Sequence, residues 1–158
     1  MLTVRDLATM PGLELSVAAG AAGLANEVSW LHVSELADPT EFLEGGEFLL
    51  TTGLGVGEEA TTQRAYVRRL AKHGLSGLGF AIGFGFPAVP APLVEEADKL
   101  SFPTLAVPYE LPFVAITKAA FSHLAGEQLE QLTRALAVHE RLADAVIQGR
   151  GLQALLAD

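Results

Sequence analysis

Residues 30–53 read WLHVSELADPTEFLEGGEFLLTTG, and this stretch decides how the chain folds. It opens on an apolar run and passes through a polar turn, Ser34-Glu35-Leu36-Ala37-Asp38-Pro39. A glycine pair follows, then a second apolar run ending in Thr51-Thr52-Gly53. Strands are expected over 28–33 and 47–51. Both finish in small polar residues or glycines, which suggests that their ends share a rim. The continuous apolar run of the second strand points to burial on both faces, as in a parallel sheet covered by helices.

Working outward, residues 3–10 have the pattern of a short helix, capped by Thr3 with Asp6 three residues on as an imperfect capping box. Residues 13–19 alternate as a strand should. In the strand over 28–33, Val28, Trp30 and His32 share one face, and His32 reads as a buried core histidine. A helical turn over 39–44 should point Phe42 and Leu43 inward. Residues 58–73 form the clearest amphipathic helix, with Thr61 or Thr62 as its cap and Gly74 as its stop. Its cations, Arg64, Arg68, Arg69 and Lys72, are expected to face solvent. Strands over 77–82 and 103–107 flank a helix over 93–100, and a long helix begins at Phe113. Alternating strands and helices predict an α/β fold: a mostly parallel sheet flanked by helices, followed by a long C-terminal helix. The domain division is then 1–112 for the α/β part and 113–158 for the connecting helix.

Composition removes several function classes. The chain has 158 residues and a formal net charge of −9, the wrong sign for holding nucleic acid unaided. It has no cysteine, so disulfides, thiolate metal sites and cysteine nucleophiles are excluded. No apolar run reaches the roughly 18–20 residues of a membrane span, and the N-terminus lacks a leader pattern, so a cytoplasmic location with no membrane partner is expected. No catalytic set, metal set or cofactor is expected. Ser34 and His32 lie two apart on one strand, which does not aim the imidazole at the hydroxyl. The glycines at 77, 79, 83 and 85 do not have dinucleotide-fingerprint spacing.

Hydroxyls and glycine N–H groups at strand ends suit hydrogen bonding to a small polar ligand. The expected ligand-binding rim comprises Ser34, Glu35, Asp38, Gly45, Gly46, Glu47, Thr51, Thr52 and Gly53, closed by residues 83–85. Asp38 before Pro39 also fits simple turn initiation.

Four segments together carry a family likeness: LTVRDL at the start, the stretch quoted above, GLGFAIG, and PTLAVPYELPFVAIT. They resemble the N-terminal domain of PucR-type (purine catabolism regulator-like) bacterial transcriptional regulators over about residues 1–125. The resemblance implies a regulatory domain of a longer protein whose helix-turn-helix lies outside this stretch, so that DNA is reached only through that part. It does not identify the effector. The leading expectation is a ligand-sensing, dimerising domain in which the loop at 109–112 passes the signal to the long helix. The alternatives are a purely structural dimerisation module, or a small hydrolase or lyase using Glu35, Asp38 or Glu47.

In the long helix, Ala125, Leu132, His139 and Val146 recur every seven residues, with Leu129, Leu136 and Ala143 four after the first three. This is a coiled-coil seam of about three heptads and predicts a homodimer through the C-terminal helix. In a parallel pair, two His139 imidazoles would face each other, and double protonation is disfavoured. The dimer should therefore weaken as pH falls through the histidine range; light scattering that returns one dimer mass from pH 5 to 8 would refute this.

Overall fold

The computed structural model describes residues 1–150, with side chains through residue 137. The seam positions His139, Ala143 and Val146 lie outside the residues whose side chains are described. Among the described residues, five strands form one sheet: β1 (Ser16–Ala19), β2 (Leu31–Val33), β3 (Phe48–Thr51), β4 (Gly77–Ala81) and β5 (Thr104–Val107). The order is β1-β5-β4-β3-β2. Strands β2 to β5 run parallel and β1 pairs antiparallel with β5. The helices are α1 (Val4–Thr9), α2 (Ala60–Lys72), α3 (Ala91–Lys99) and α4 (Phe113–Arg150), with a 3-10 turn at Pro39–Phe42. The expected α/β arrangement is therefore present.

Period-2 alternation assigns the two faces. Leu49 pairs with Leu78, and Thr51 with Phe80, so these four share one face. Leu49, Leu78 and Phe80 pack with Tyr66, Val67 and Leu70 of α2 and with Leu93 and Ala97 of α3. The other face carries Phe48, Leu50, Leu105 and Val107, all fully buried. On that face β4 contributes Gly77, Gly79 and the small Ala81. A Cβ at Gly79 would lie 2.6 Å from Leu50 Cδ2 and 3.0 Å from Phe48 Cε1. The glycines thus weaken β4 as a strand former but leave room for the large side chains of β3. The first compact unit runs Met1–Phe121 and includes the opening of α4, where Ile116 and Ala120 are buried.

Several local expectations are corrected. The ladder at β2 spans only Leu31–Val33. Trp30 is half exposed, its ring meeting Phe121 edge-on at 6.3 Å, and His32 is only partly buried. Leu43 turns inward, but Phe42 is 78% exposed, because the turn is a tight four-residue 3-10 segment capped by Asp38. Helix α2 starts at Ala60 after Glu59, so neither Thr61 nor Thr62 caps it. Helix α3 starts two residues earlier than expected, after Pro90 and with Pro92 in its first turn, where a missing N–H costs nothing. The capping box at Thr3 and Asp6 is complete.

The cations of α2 are not merely solvated. Arg64 and Arg68 pair with Glu95 and Glu96 of α3 at 2.5 and 2.9 Å. Arg68 and the other cations hold the Glu96 carboxyl below its ordinary value. Arg69 donates to the carbonyl of Ala37 at 3.0 Å, fixing the loop after β2. These pairs lock the two helices in register on one face of the sheet.

Gly79→Ala should cost about 1–3 kcal/mol by overpacking against Leu50 and Phe48. Gly85→Ala, where a Cβ would meet nothing within 4 Å, should lie within about 0.5 kcal/mol of the parent. Urea unfolding of both variants checks this; equal midpoints would contradict the packing account.

Candidate functional site

In a parallel sheet all strand C-termini lie at one end, and this is where open α/β sheets bind ligands. Here that end is built around a single carboxylate. Ser34 extends the β2–β3 ladder, its N–H donating to Leu50 O at 3.1 Å. Its hydroxyl accepts the Leu36 N–H at 3.2 Å, which turns the chain and sends Glu35 across to the end of β3. Glu35 Oε1 accepts from Thr51 Oγ1 at 2.5 Å, and Oε2 accepts from Thr52 Oγ1 at 2.7 Å. Both oxygens lie 3.0 Å from the Thr52 N–H. A carboxylate offers about four acceptor positions, so the threonines of the rim itself occupy them.

The rest of the rim follows from this clasp. Thr51 Oγ1 also accepts the Gly53 N–H at 3.2 Å. Gly53 has φ +91°, and a Cβ there would stand 2.5 Å from Phe80 Cζ, so the turn needs glycine. Gly55 rests on the backbone of Glu35 and Leu36, where a Cβ would be 2.5 Å from both carbonyl oxygens. Below the clasp lies the Tyr66 hydroxyl. Burial pushes its pKa up, with the Glu35 charge adding to the rise and the neighbouring Thr51 hydroxyl opposing it.

The nine expected ligand residues do not form one rim. Ser34, Glu35, Thr51, Thr52 and Gly53 come together. Asp38 sits at the far side of the same loop, accepting from Thr40 Oγ1 at 2.6 Å and Thr40 N at 3.1 Å. Those bonds hold its carboxyl below the ordinary value of 3.8, as turn initiation requires. Gly45, Gly46 and Glu47 lie at the opposite end of the sheet. β3 begins at Phe48 and runs parallel to β2, so residues just before it cannot meet residues just after it. Gly46 bonds there with Ser29 and Gly74. Glu47 accepts the Glu44 and Gly45 N–H groups at 2.9 and 2.7 Å. Partial burial pushes the Glu47 carboxyl up, but these N–H donors outweigh it and its pKa falls below 4.5. The physical role of this second group is to close the turn into β3.

Two clefts open at the C-terminal end. The first, of about 320 Å³, is lined by Thr52, Gly53, Leu54, Gly57, Glu58 and residues 84–86. The second, also about 320 Å³, is lined by Thr52, Phe84 and residues 109–113. Thr52 and Phe84 belong to both. Phe84 and Tyr109 pack ring on ring at 5.0 Å, and each is 58% exposed. Tyr109 is seated on Gly83, where a Cβ would lie 2.8 Å from the ring. The second cleft ends at Phe113, the first residue of α4. The sequence pointed to residues 83–85 and 109–112 as closing and relaying elements. It gave no reason to single out Glu58 and Glu110, which follow from three-dimensional proximity alone. Among the described residues no group of three or more acids or histidines is placed to hold a metal ion, and no helix is long and apolar enough to cross a membrane.

The model of the purine catabolism regulatory protein-like family matches residues 6–124. The transcriptional activator PmfR of Paenarthrobacter nicotinovorans is 39% identical over 134 residues, covering 85% of this chain and 28% of that protein. The purine catabolism regulatory protein of Bacillus subtilis (strain 168) is 28% identical over 156 residues, 98% of this chain and 29% of that protein. The chain thus spans less than a third of the length of these relatives.

Glu35→Ala removes the acceptor for three donors, and hydrogen bonds to charged groups contribute about 1.5–3 kcal/mol each when intact. Allowing for partial exposure and water replacement, the variant should lose on the order of 2–3 kcal/mol in urea unfolding. A loss under about 0.5 kcal/mol would place Glu35 among ordinary surface residues and contradict the clasp.

Proposed function

The chain belongs to the purine catabolism regulatory protein-like family, and we propose that it is the signal-receiving domain of a bacterial transcriptional regulator of catabolic genes. It receives a small metabolite at the C-terminal rim and passes the event to α4. The observation that carries this reading is the pair of clefts joined at Thr52 and Phe84, the second of which is walled by the residues that start α4. Volumes near 300 Å³ suit a small ligand. The half-exposed rings supply apolar area and Thr52 a hydroxyl. Binding there bears directly on residues 109–113, whose arrangement sets where α4 begins. A ligand shifts that arrangement only by its difference in affinity for the alternatives.

In this proposal the domain does not catalyse. The rim carboxylate of Glu35 is taken up by two threonines and Asp38 by Thr40, so neither stands ready as an acid or base. α4 pairs two copies in the cytoplasm. Leu129, Leu132 and Leu136 are each more than half exposed along the helix, which supports the seam read from the heptads. DNA is contacted by a part of the protein outside this chain. The competing module without a ligand accounts for the exposed leucines but leaves the joined clefts without a use.

Thermal-shift and calorimetric titration with purines, ureides and other small nitrogen compounds tests the proposal. A hit should stabilise the parent and be weakened at least about tenfold by Phe84→Ala, roughly the loss of one well-placed aromatic contact. A complete panel without a hit, or a hit indifferent to Phe84→Ala, would sink the proposed site. Turnover of a hit would sink the non-catalytic reading.

A further inference from the structure

Two charged residues line the joined clefts, Glu58 in the first and Glu110 in the second, and no lysine or arginine lines either one. Both carboxylates are exposed, and among the described residues neither takes part in an ion pair. Beside them stand the exposed rings of Phe84 and Tyr109. From this lining we infer that the ligand is a small cation, an organic ammonium or protonated nitrogen base, held in the second cleft with its charge at Glu110 and its body on Phe84 and Tyr109. The inference rests on the recognition role proposed above and adds the sign of the charge.

Four effects act on a charge placed there. Glu110 contributes a full negative charge and Glu58 a second one across the Phe84 wall. The ring faces carry negative potential and attract cations, favourably for nitrogen bases in partly closed sites. Against these stands the start of α4, whose backbone gives roughly half a positive charge at its N-terminus. Glu110 and Phe113 both line the cleft, and a full charge exceeds that half charge. The chain's net charge of −9 acts in the same direction at longer range and is reduced by salt. An anionic ligand would enter a cleft with no cationic side chain to meet it. A neutral one would leave both carboxylates without a use in recognition.

The test uses three probes of one shape on the 158-residue chain: benzylamine, which is cationic at neutral pH, benzyl alcohol and benzoate. Amide chemical shifts of the labelled protein report affinity and location together. Benzylamine should bind roughly fivefold to tenfold more tightly than benzyl alcohol, with shifts at Phe84, Tyr109 and Leu111 and a preference that shrinks in high salt. Glu110→Gln should cut that preference to about twofold or less, the remainder coming from the rings and Glu58, while leaving the affinity for benzyl alcohol in place. Equal or tighter binding of benzyl alcohol or benzoate in the cleft would overturn the cationic inference and leave the recognition role standing. Silence from all three probes with a folded spectrum would also overturn it, and the wider panel without a hit would take down the recognition role as well. A preference undiminished by Glu110→Gln would remove Glu110 as its main source and overturn the assignment.

Discussion

One carboxylate sets the C-terminal end of this domain's sheet. Glu35 leaves β2, reaches across to β3 and takes three donors from Thr51 and Thr52. Without it, two parallel strands would end in unpaired hydroxyls and a free N–H next to a buried tyrosine. With it, Thr51 is fixed over Tyr66, Gly53 makes its positive-φ turn against Phe80, and Gly55 lies on the backbone of residues 35 and 36. The loop that carries Leu54 and Glu58 to the first cleft therefore starts from a rigid point. Thr52 then serves twice, bound to Glu35 on one side and lining both clefts on the other.

Much of the fold was legible because the patterns were long or the punctuation strong. The continuous apolar run of β3, the amphipathic period of α2 and the breaker-poor stretch from Phe113 each mark their element in the sequence. The site was only half legible. The sequence places the two glycine-rich ends of residues 45–47 and 51–53 five or six residues apart, and nothing local says that a strand separates them by its own length. A four-residue strand spans roughly 13 Å, which puts the Glu47 turn at the other end of the sheet. Phe42 differs for a local reason: the 3-10 turn ends at Phe42 and Leu43 is already extended (φ −100°, ψ 144°), so the two side chains face different ways. The arginines of α2 carry no periodic clue that their partners lie thirty residues on, in α3.

Glu35 and Thr51 were both visible as polar residues at strand ends, and so were marked as ligand contacts. Their pairing with each other is a tertiary fact. It changes what the signature stretch does: its polar residues spend their hydrogen bonds on building the rim, while the surfaces that face the clefts come from the loops after β3, β4 and β5. Ring faces, glycines and two acids line them. The arrangement also bears on signal transfer. Ile116 and Ala120 hold the first turns of α4 in the core, so the short segment at 109–113 is both a cleft wall and the approach to an anchored helix. In the signalling role proposed above, coupling to the helix requires this segment to have two arrangements between which the ligand discriminates.

Native-state hydrogen exchange on the parent and on Glu35→Ala tests the clasp most directly. If Glu35 fixes the rim, the Thr52 and Gly53 amides should exchange at least about tenfold faster in the variant, a loss of local protection. The Gly46 and Ser76 amides at the other end of the sheet should keep their rates. Unchanged protection at Thr52 and Gly53, or an equal loss at both ends, would contradict a local clasp at the C-terminal rim.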